Sequence, residues 1–357
     1  MQSGNGYDSI LFVSFGGPLG PDDVMPFLER VTHGKRVPRE RLEEVAEHYH
    51  HFGGISPITA QNLELIEHVR KELNARGIDI PIYLGNRNWH PFLADTLQKM
   101  AGQGKKRALA FFTSMFSSYS GCRQYRENIE TARDQVGPDA PQVEKVRFGF
   151  NHPGFIKAMS DRVLEAAVKL EAADSAETYV VFTAHSIPKS MAAGCAYQKQ
   201  LLEAARLICE ACRFSNYELA WQSRSGPPAV PWLEPDVNEV LKGLPARGFK
   251  RAIVAPLGFI SDNIEVLYDL DIEARQTAEQ AGLEMARAFT VGIHPLFVSA
   301  VADMLIERII GQSARSAVGK LPAWHDACPP DCCPISVLDG VPRGDQVAIC
   351  GNSAVGT

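Results

Sequence analysis

Long apolar runs are missing from this chain of 357 residues. None approaches the roughly 20 residues that a bilayer-spanning helix needs, so no transmembrane segment is expected. The N-terminal MQSGNGYDSI has no basic stretch leading into an apolar one, which argues against a secretory signal and places the protein in the cytoplasm. Positive charge is not in excess either. Lys and Arg number 36 against 42 Asp and Glu, and the resulting net charge of −6 excludes a nucleic-acid partner from the leading readings. No Gly-x-Gly-x-x-Gly follows the first apolar strand, so a phosphate-cradling turn is missing and no nucleotide cofactor is expected. Cysteine is present, eight in all, but a cytosolic chain of this size does not use thiols as a disulfide framework. Tight cysteine clusters are therefore read as metal or redox candidates.

With 45% hydrophobic and 22% charged residues the chain is an ordinary globular one, long enough for two domains. Ser9–Phe15 is a near-continuous apolar strand of the buried parallel type, followed by a helix starting near Pro21. Helical patterns cover Arg39–His51 and Asn62–Ala75, strands are expected at Ile82–Gly85, Arg107–Thr113 and Lys145–Phe150, and Ser114–Gln124 reads as a loop. The second half repeats this plan. It offers helices at Phe155–Ala173, Tyr197–Arg213, Asp236–Gly243 and Ile264–Ala281, and strands at Tyr179–Phe182, Tyr217–Gln222 and Ala252–Pro256. Alternation of this kind predicts an α/β protein of doubly wound parallel sheets, with a cleft between two units. The expected divisions are 7–153, 154–293, a closing helix within 294–311 (Pro295–Ile310) and a cysteine-rich tail, 312–357.

Ligands of open α/β sheets bind beyond the carboxyl ends of the strands. The segment Tyr179–Pro188, YVVFTAHSIP, puts His185 just past such an end, where an imidazole can hold a metal or carry a proton; alone, it could equally be a loop histidine with a structural hydrogen bond. A second segment, Val254–Glu273, runs from a strand through Gly258 into a helix with Ser261 or Asp262 as the expected N-cap. Glu265, Asp269 and Glu273 follow at intervals of four, which aligns three carboxylates on one helix face. Like charges so spaced repel, which suits a path for cations or protons, although a solvated helix face has the same pattern. Asn86–Pro91 brings Arg87, Trp89 and His90 to another strand end, a set suited to a flat acidic ligand, although Trp89 taken alone reads as a structural packing residue. Trp232 lies in the Gly- and Pro-rich loop Ser223–Pro235, where it could form a rigid apolar wall.

Cys328, Cys332 and Cys333 place three thiols within six residues of a tail short of core-forming residues. That density fits zinc or an iron–sulfur centre, and a [2Fe–2S] centre needs a fourth thiolate from elsewhere; the other reading is an unstructured tail with incidental thiols. Cys209 and Cys212 fall within a helical pattern and read as half-buried helix residues, and Cys195 has no evident partner.

The segments Phe15–Pro18, Gly53–Pro57, Thr183–Pro188, Trp221–Ser223, Pro231–Asp236 and Gly258–Asp269 together resemble the ferrochelatases, over Tyr7 to about Ile310. That resemblance implies two flavodoxin-like, Rossmann-like domains holding a porphyrin in the cleft, with ferrous iron as the second substrate. It puts the catalytic, iron-contacting pair on His185 and Glu265, with Asp269 and Glu273 extending a metal or proton path. One departure stands at Asn263, where the family usually has His after Ser-Asp. Implied porphyrin contacts are Phe15, at a position where some relatives carry Tyr, and Ser56, Arg87, Ser120, Arg123, Tyr125 and Trp232. Segments 31–34, 46–54 and 85–91 are similar to the bacterial coproporphyrin III group, so the expected reaction is insertion of ferrous iron into coproporphyrin III during haem biosynthesis. The alternatives are protoporphyrin IX as substrate, a cobalt or nickel chelatase, and a non-enzymatic porphyrin or haem carrier. Likeness to the cluster-bearing ferrochelatases implies [2Fe–2S] ligands Cys122, Cys328, Cys332 and Cys333, with Cys350 in reserve. Transient contact with neighbouring haem-pathway enzymes is left open, and no oligomeric state is assigned.

Overall fold

Hydrophobic alternation along the strands decides the layering of the protein, here described from a computed structural model over residues 6–34, 37–171 and 175–335. The first half contains strands β1 (Ser9–Ser14), β2 (Ile82–Asn86), β3 (Arg107–Phe112) and β4 (Gln142–Lys145). Its helices are α1 (Val24–Val31), α2 (Arg39–His51), α3 (Ile58–Ala75), α4 (Leu93–Gly102) and α5 (Gln124–Val136). The second half contains β5 (Thr178–His185), β6 (Tyr217–Gln222), β7 (Arg251–Ala255) and β8 (Glu284–Arg287). Helices α6 (Pro153–Lys169), α7 (Lys189–Ala193), α8 (Tyr197–Cys212), α9 (Val237–Gly243), α10 (Ile264–Val266), α11 (Arg275–Gln280) and α12 (Pro295–Ile309) complete it.

Two parallel four-stranded sheets result, ordered β2-β1-β3-β4 and β6-β5-β7-β8, the same topology twice. Ile10 and Phe12 face a core shared with α3 and α12, whereas Leu11 and Val13 face α4 and α5 on the other side. In the second sheet Val180 and Phe182 join that same shared core, with α6 and α8, and Tyr179 and Val181 face α9 and α11. The alternating period of two thus covers both faces of each sheet with helices. The closing helix α12 packs on α3 and β3 of the first unit as well as on α6. No helix among the described residues is long and apolar enough to cross a membrane.

Several expectations require correction. The fourth strand is Gln142–Lys145 rather than Lys145–Phe150: the later residues are buried, but the backbone N–H of Arg147 is taken by the Asp326 carboxylate at 2.8 Å instead of by a strand. Val146 still donates to the Ala110 carbonyl of β3 at 2.9 Å, and burial of the residues beyond it produced the apolar run. Strand β5 runs on to His185, which is a strand residue and not a loop one. The short edge strand β8 went unseen because its Glu and Arg break the apolar pattern. Within Ser114–Gln124 a π-helical turn covers Tyr119–Arg123. A second π-helix, Leu267–Ala274, interrupts what reads as one α-helix from Ile264 to Ala281.

Buried polar contacts join the halves at the strand ends. Asn62, on the apolar face of α3, donates from Nδ2 to Ser14 Oγ at the end of β1 (2.8 Å) and accepts at Oδ1 from Ser261 Oγ beyond β7 (3.0 Å). Beside it the Asp262 N–H donates to Gln61 Oε1 at 2.8 Å. Replacing Asn62 by Leu strands two buried hydroxyls, and urea unfolding is expected to report a loss of about 1–3 kcal/mol. A variant as stable as the parent would remove this network from the account of the fold.

Candidate active site and cysteine centre

The parallel order reverses between β1 and β3 and again between β5 and β7, and these are the points where such sheets open a crevice. His185 closes β5 opposite Gln222 of β6. Its Nδ1 lies 2.5 Å from the Ser186 carbonyl oxygen. A carbonyl only accepts, so Nδ1 carries the hydrogen and Nε2 keeps its lone pair. That Nε2 faces Glu265 Oε2 at 3.8 Å, and both side chains are partly exposed to solvent. Tyr197 OH donates to the His185 carbonyl at 3.3 Å and steadies the backbone behind the ring.

Glu265 occupies the first turn of α10, whose N-cap is Asn263: its Oδ1 accepts from the Val266 N–H at 2.8 Å. The expected caps serve elsewhere. Ser261 joins Asn62, and the Asp262 carboxylate pairs with Arg287 at 3.1 Å. Asp269, in the π-helix, accepts hydrogen bonds from Ser223 Oγ and from Gln222 Nε2, the latter at 3.3 Å. Ser223 adopts φ 59°, a left-handed conformation rare outside glycine, as it presents its hydroxyl to Asp269. Burial pushes the Asp269 carboxyl up to about 7, with Glu265 and Glu273 reinforcing the shift against the two hydrogen bonds. Glu273 is also raised, through burial and the charge of Asp236, and is the more exposed of the two.

Arg87 is held by Asn128 Oδ1 (2.6 Å) and the Ser120 carbonyl (3.4 Å), and it lies over the Tyr125 ring at 4.6 Å and the Phe15 ring at 5.6 Å. Phe15, Arg87, Ser120 and Tyr125 therefore form one cluster beyond β1 and β2. Arg123 instead pairs with Glu127 at 3.0 Å, and Ser56 is buried against Gly17, where a Cβ would come within 2.5 Å of it. Trp232 is buried over Gly226 and bridges to Pro188, three residues beyond His185. Sequence reasoning missed the stack of His48 on Tyr268, 3.6 Å apart and 7° from parallel, which sets α2 against the carboxylate-bearing helix. It also missed Asn62, although an Asn in line with Leu65, Ile66, Val69 and Leu73 on a helix face was a usable signal.

The four expected cysteines converge. Cys122 Sγ lies 4.0 Å from Cys328 Sγ, and Cys332 Sγ 3.6 Å from Cys333 Sγ. Thiolates on one tetrahedral metal, with bonds of about 2.3 Å, stand roughly 3.8 Å apart, so both pairs match a shared-metal edge. Adjacent Cys332 and Cys333 can face one centre because Cys333 takes φ 52°. Hydrogen bonding among the thiols holds Cys328 and Cys333 low and pushes Cys122 and Cys332 up, while the cations Lys145 and Arg126 favour thiolate at Cys122 and Cys333. His325, Cys328 and Cys332 offer donor atoms that all lie within 4.8 Å of one another. The donor set fits a [2Fe–2S] centre. Cys350 lies outside the described residues; Cys209 and Cys212 both sit in α8.

Two parallel four-stranded units, the second carrying a histidine–carboxylate pair at its strand ends, give the chain the fold of the metal chelatases. The same fold is found in the sirohydrochlorin chelatase SirB from Bacillus subtilis subspecies spizizenii, solved in complex with cobalt, with TM-score 0.50 and 11% identity over 87% of this chain and 99% of that one. The chain belongs to the ferrochelatase family, whose model matches residues 7–309. It is 57% identical to a ferrochelatase of Rhodopirellula baltica over 92% of this chain and 93% of the relative. Identity is 49% to a coproporphyrin III ferrochelatase of Nocardia farcinica (86% and 90% covered) and 46% to one of Streptomyces coelicolor (92% and 93%).

The raised Asp269 sets a pH test. The folded chain holds this proton more tightly than the unfolded chain, whose carboxyl has the ordinary value of 3.8. The associated stability is therefore complete below 3.8 and lost as pH rises through about 7. Relative to Asp269→Asn, the melting temperature of the parent is expected to fall as pH rises from about 5 to about 7 and then to level off. A constant difference would contradict the shift.

Proposed function

We propose that this protein inserts ferrous iron into coproporphyrin III, yielding the iron porphyrin and two protons, in haem biosynthesis. One observation carries the reading: the 3.8 Å pairing of His185 Nε2, its lone pair freed by the Nδ1 contact, with the Glu265 carboxylate at the mouth of the cleft. Metallation needs a base for the pyrrole N–H protons and a ligand that releases a partly desolvated cation. His185 Nε2 holds the incoming metal and, once the cation has passed to the ring nitrogens, takes up a pyrrole proton, while Glu265 shares the cation and takes the second proton. Asp269, poised near neutral pH, and Glu273 carry protons or metal between this pair and solvent.

Phe15 gives the opposing wall no oxygen ligand, which leaves the metal to the His185 side. Arg87, fixed by Asn128 and the Ser120 carbonyl, is the strongest candidate to pair with a propionate; Ser56, Arg123 and Tyr125 complete that wall, and Trp232 backs the His185 loop. The four-propionate substrate is favoured over protoporphyrin IX by the named coproporphyrin III relatives. We further infer that Cys122, Cys328, Cys332 and Cys333 hold a [2Fe–2S] centre. When bound, that centre supplies one-electron redox chemistry. We place the reaction in the cytoplasm, where thiols serve metals rather than disulfides.

Anaerobic metallation of coproporphyrin III and protoporphyrin IX side by side tests the assignment. Higher kcat/KM is expected for coproporphyrin III, and preference for protoporphyrin IX would overturn the substrate while leaving the reaction. His185→Ala is expected to lose about 10²–10⁴-fold in metallation and to keep porphyrin binding, as read by fluorescence quenching. Parental activity in that variant would remove His185 from the mechanism, and binding without turnover in the parent would favour a porphyrin carrier.

A further inference from the structure

Among the described residues the cysteine centre has five donors where a [2Fe–2S] cluster takes four. Besides the four thiols, His325 Nε2 lies 4.0 Å from Cys332 Sγ. Three independent contacts hold the segment that carries it: Lys145 Nζ donates to the His325 carbonyl (3.2 Å), Arg315 Nη1 to the Trp324 carbonyl (3.2 Å), and the Arg147 N–H to Asp326 Oδ1 (2.8 Å). The Trp324 ring covers the imidazole at 4.6 Å, 31° from parallel, and itself meets Phe150 edge-on at 6.3 Å. A half-buried imidazole fixed on both sides of its backbone and by a ring partner is a positioned group, not a swinging surface side chain.

Four thiols suffice for two irons, so in the [2Fe–2S] reading the imidazole beside Cys332 Sγ is the donor left outside the ligand set. We propose that His325 is a positioning residue for the cluster: its Nε2–H donates to the Cys332 thiolate and, by stabilising negative charge on sulfur, raises the reduction potential of the centre. The inference rests on the reading that these cysteines hold [2Fe–2S]. Hydrogen bonds to cluster sulfurs are among the levers that set such potentials. On accepting one electron the centre gains one negative charge, and an N–H aimed at a ligand thiolate favours that state over the oxidised one. Zinc in the same site would use the imidazole differently, as a nitrogen ligand beside three thiolates.

The test uses the full chain, purified anaerobically with its cluster, as the parent and as His325→Ala, His325→Gln and His325→Leu. Iron and sulfide content, visible spectra, electron paramagnetic resonance of the dithionite-reduced state and the midpoint potential are recorded. The alanine variant is expected to keep the cluster and to be about tenfold harder to reduce, a shift of about 59 mV to more negative potential for a one-electron couple. Glutamine, which keeps an N–H, should recover most of that shift. Leucine, which fills the space under Trp324 without a donor, should behave as alanine does and replaces it in the comparison if alanine fails to assemble. Unchanged potentials in cluster-bearing alanine and leucine variants would overturn the role of His325 while leaving the cluster in place. Strong ¹⁴N coupling in the parent, lost on substitution, would make His325 a ligand and overturn the hydrogen-bond role. A parent that holds zinc or no cluster would overturn the cluster and this inference together.

Discussion

The side-chain amide of Asn62 is the contact on which the geometry of the cleft depends. Its two ends touch the last residue of β1 and the turn leaving β7, through Ser14 and Ser261. Two separately closed sheets could meet at many angles, since apolar packing between helices is not directional. A buried amide with both ends bonded is directional, and an unmade bond there is expensive. Two residues beyond Ser261, Asn263 caps α10 and fixes Glu265 in its first turn, so the position of the carboxylate relative to His185 follows from a contact in the other half of the chain.

The tail is placed by similar means. Arg147 and Glu307 form a buried, bidentate ion pair at 2.8 and 2.9 Å, and Arg147 also donates to the Ser316 carbonyl at 2.9 Å. A buried pair of this kind adds little net stability, but a lone partner would be untenable, so it acts as a locating pin. Further along, Asn151 donates to the Leu321 carbonyl at 2.7 Å and Glu203 of α8 accepts from the Lys320 N–H. The tail thereby touches both units before Cys328 reaches Cys122. Cys122 belongs to the π-helical turn that also carries Ser120 and Arg123, which puts the cysteine centre directly behind the wall assigned to the porphyrin.

Proton management in the cleft rests on contrast between neighbours. Glu265 stands partly exposed to solvent, whereas Asp269 is drawn in toward Gln222 and Ser223 and holds its proton to about neutral pH. The π-helix accompanies this arrangement: its wider turn keeps residues four apart near a common side while Leu270 and Ala274 stay in the core. Burial of Asp269 and exposure of Glu273 thus keep the row of acids from being a uniform surface.

By itself the sequence determined what short-range pattern can carry. Apolar runs of period two and helical faces specify the alternating α/β plan, strand ends mark His185 and Arg87 as candidates, and the intervals between Glu265, Asp269 and Glu273 announce a common face. Motif likeness named the family. Tertiary structure alone decided whatever depends on partners distant in the chain. It ended the fourth strand at Lys145, with a tail carboxylate taking the Arg147 N–H two residues on, and it turned part of an apparent α-helix into a π-helix whose Asp269 is anchored on another strand. It also brought His325 to the thiols and gave Asn62 its two serines. Local propensity is a property of neighbouring residues, whereas each of these outcomes is a hydrogen bond or charge pairing closed across many residues, whose formation only the packed chain can determine.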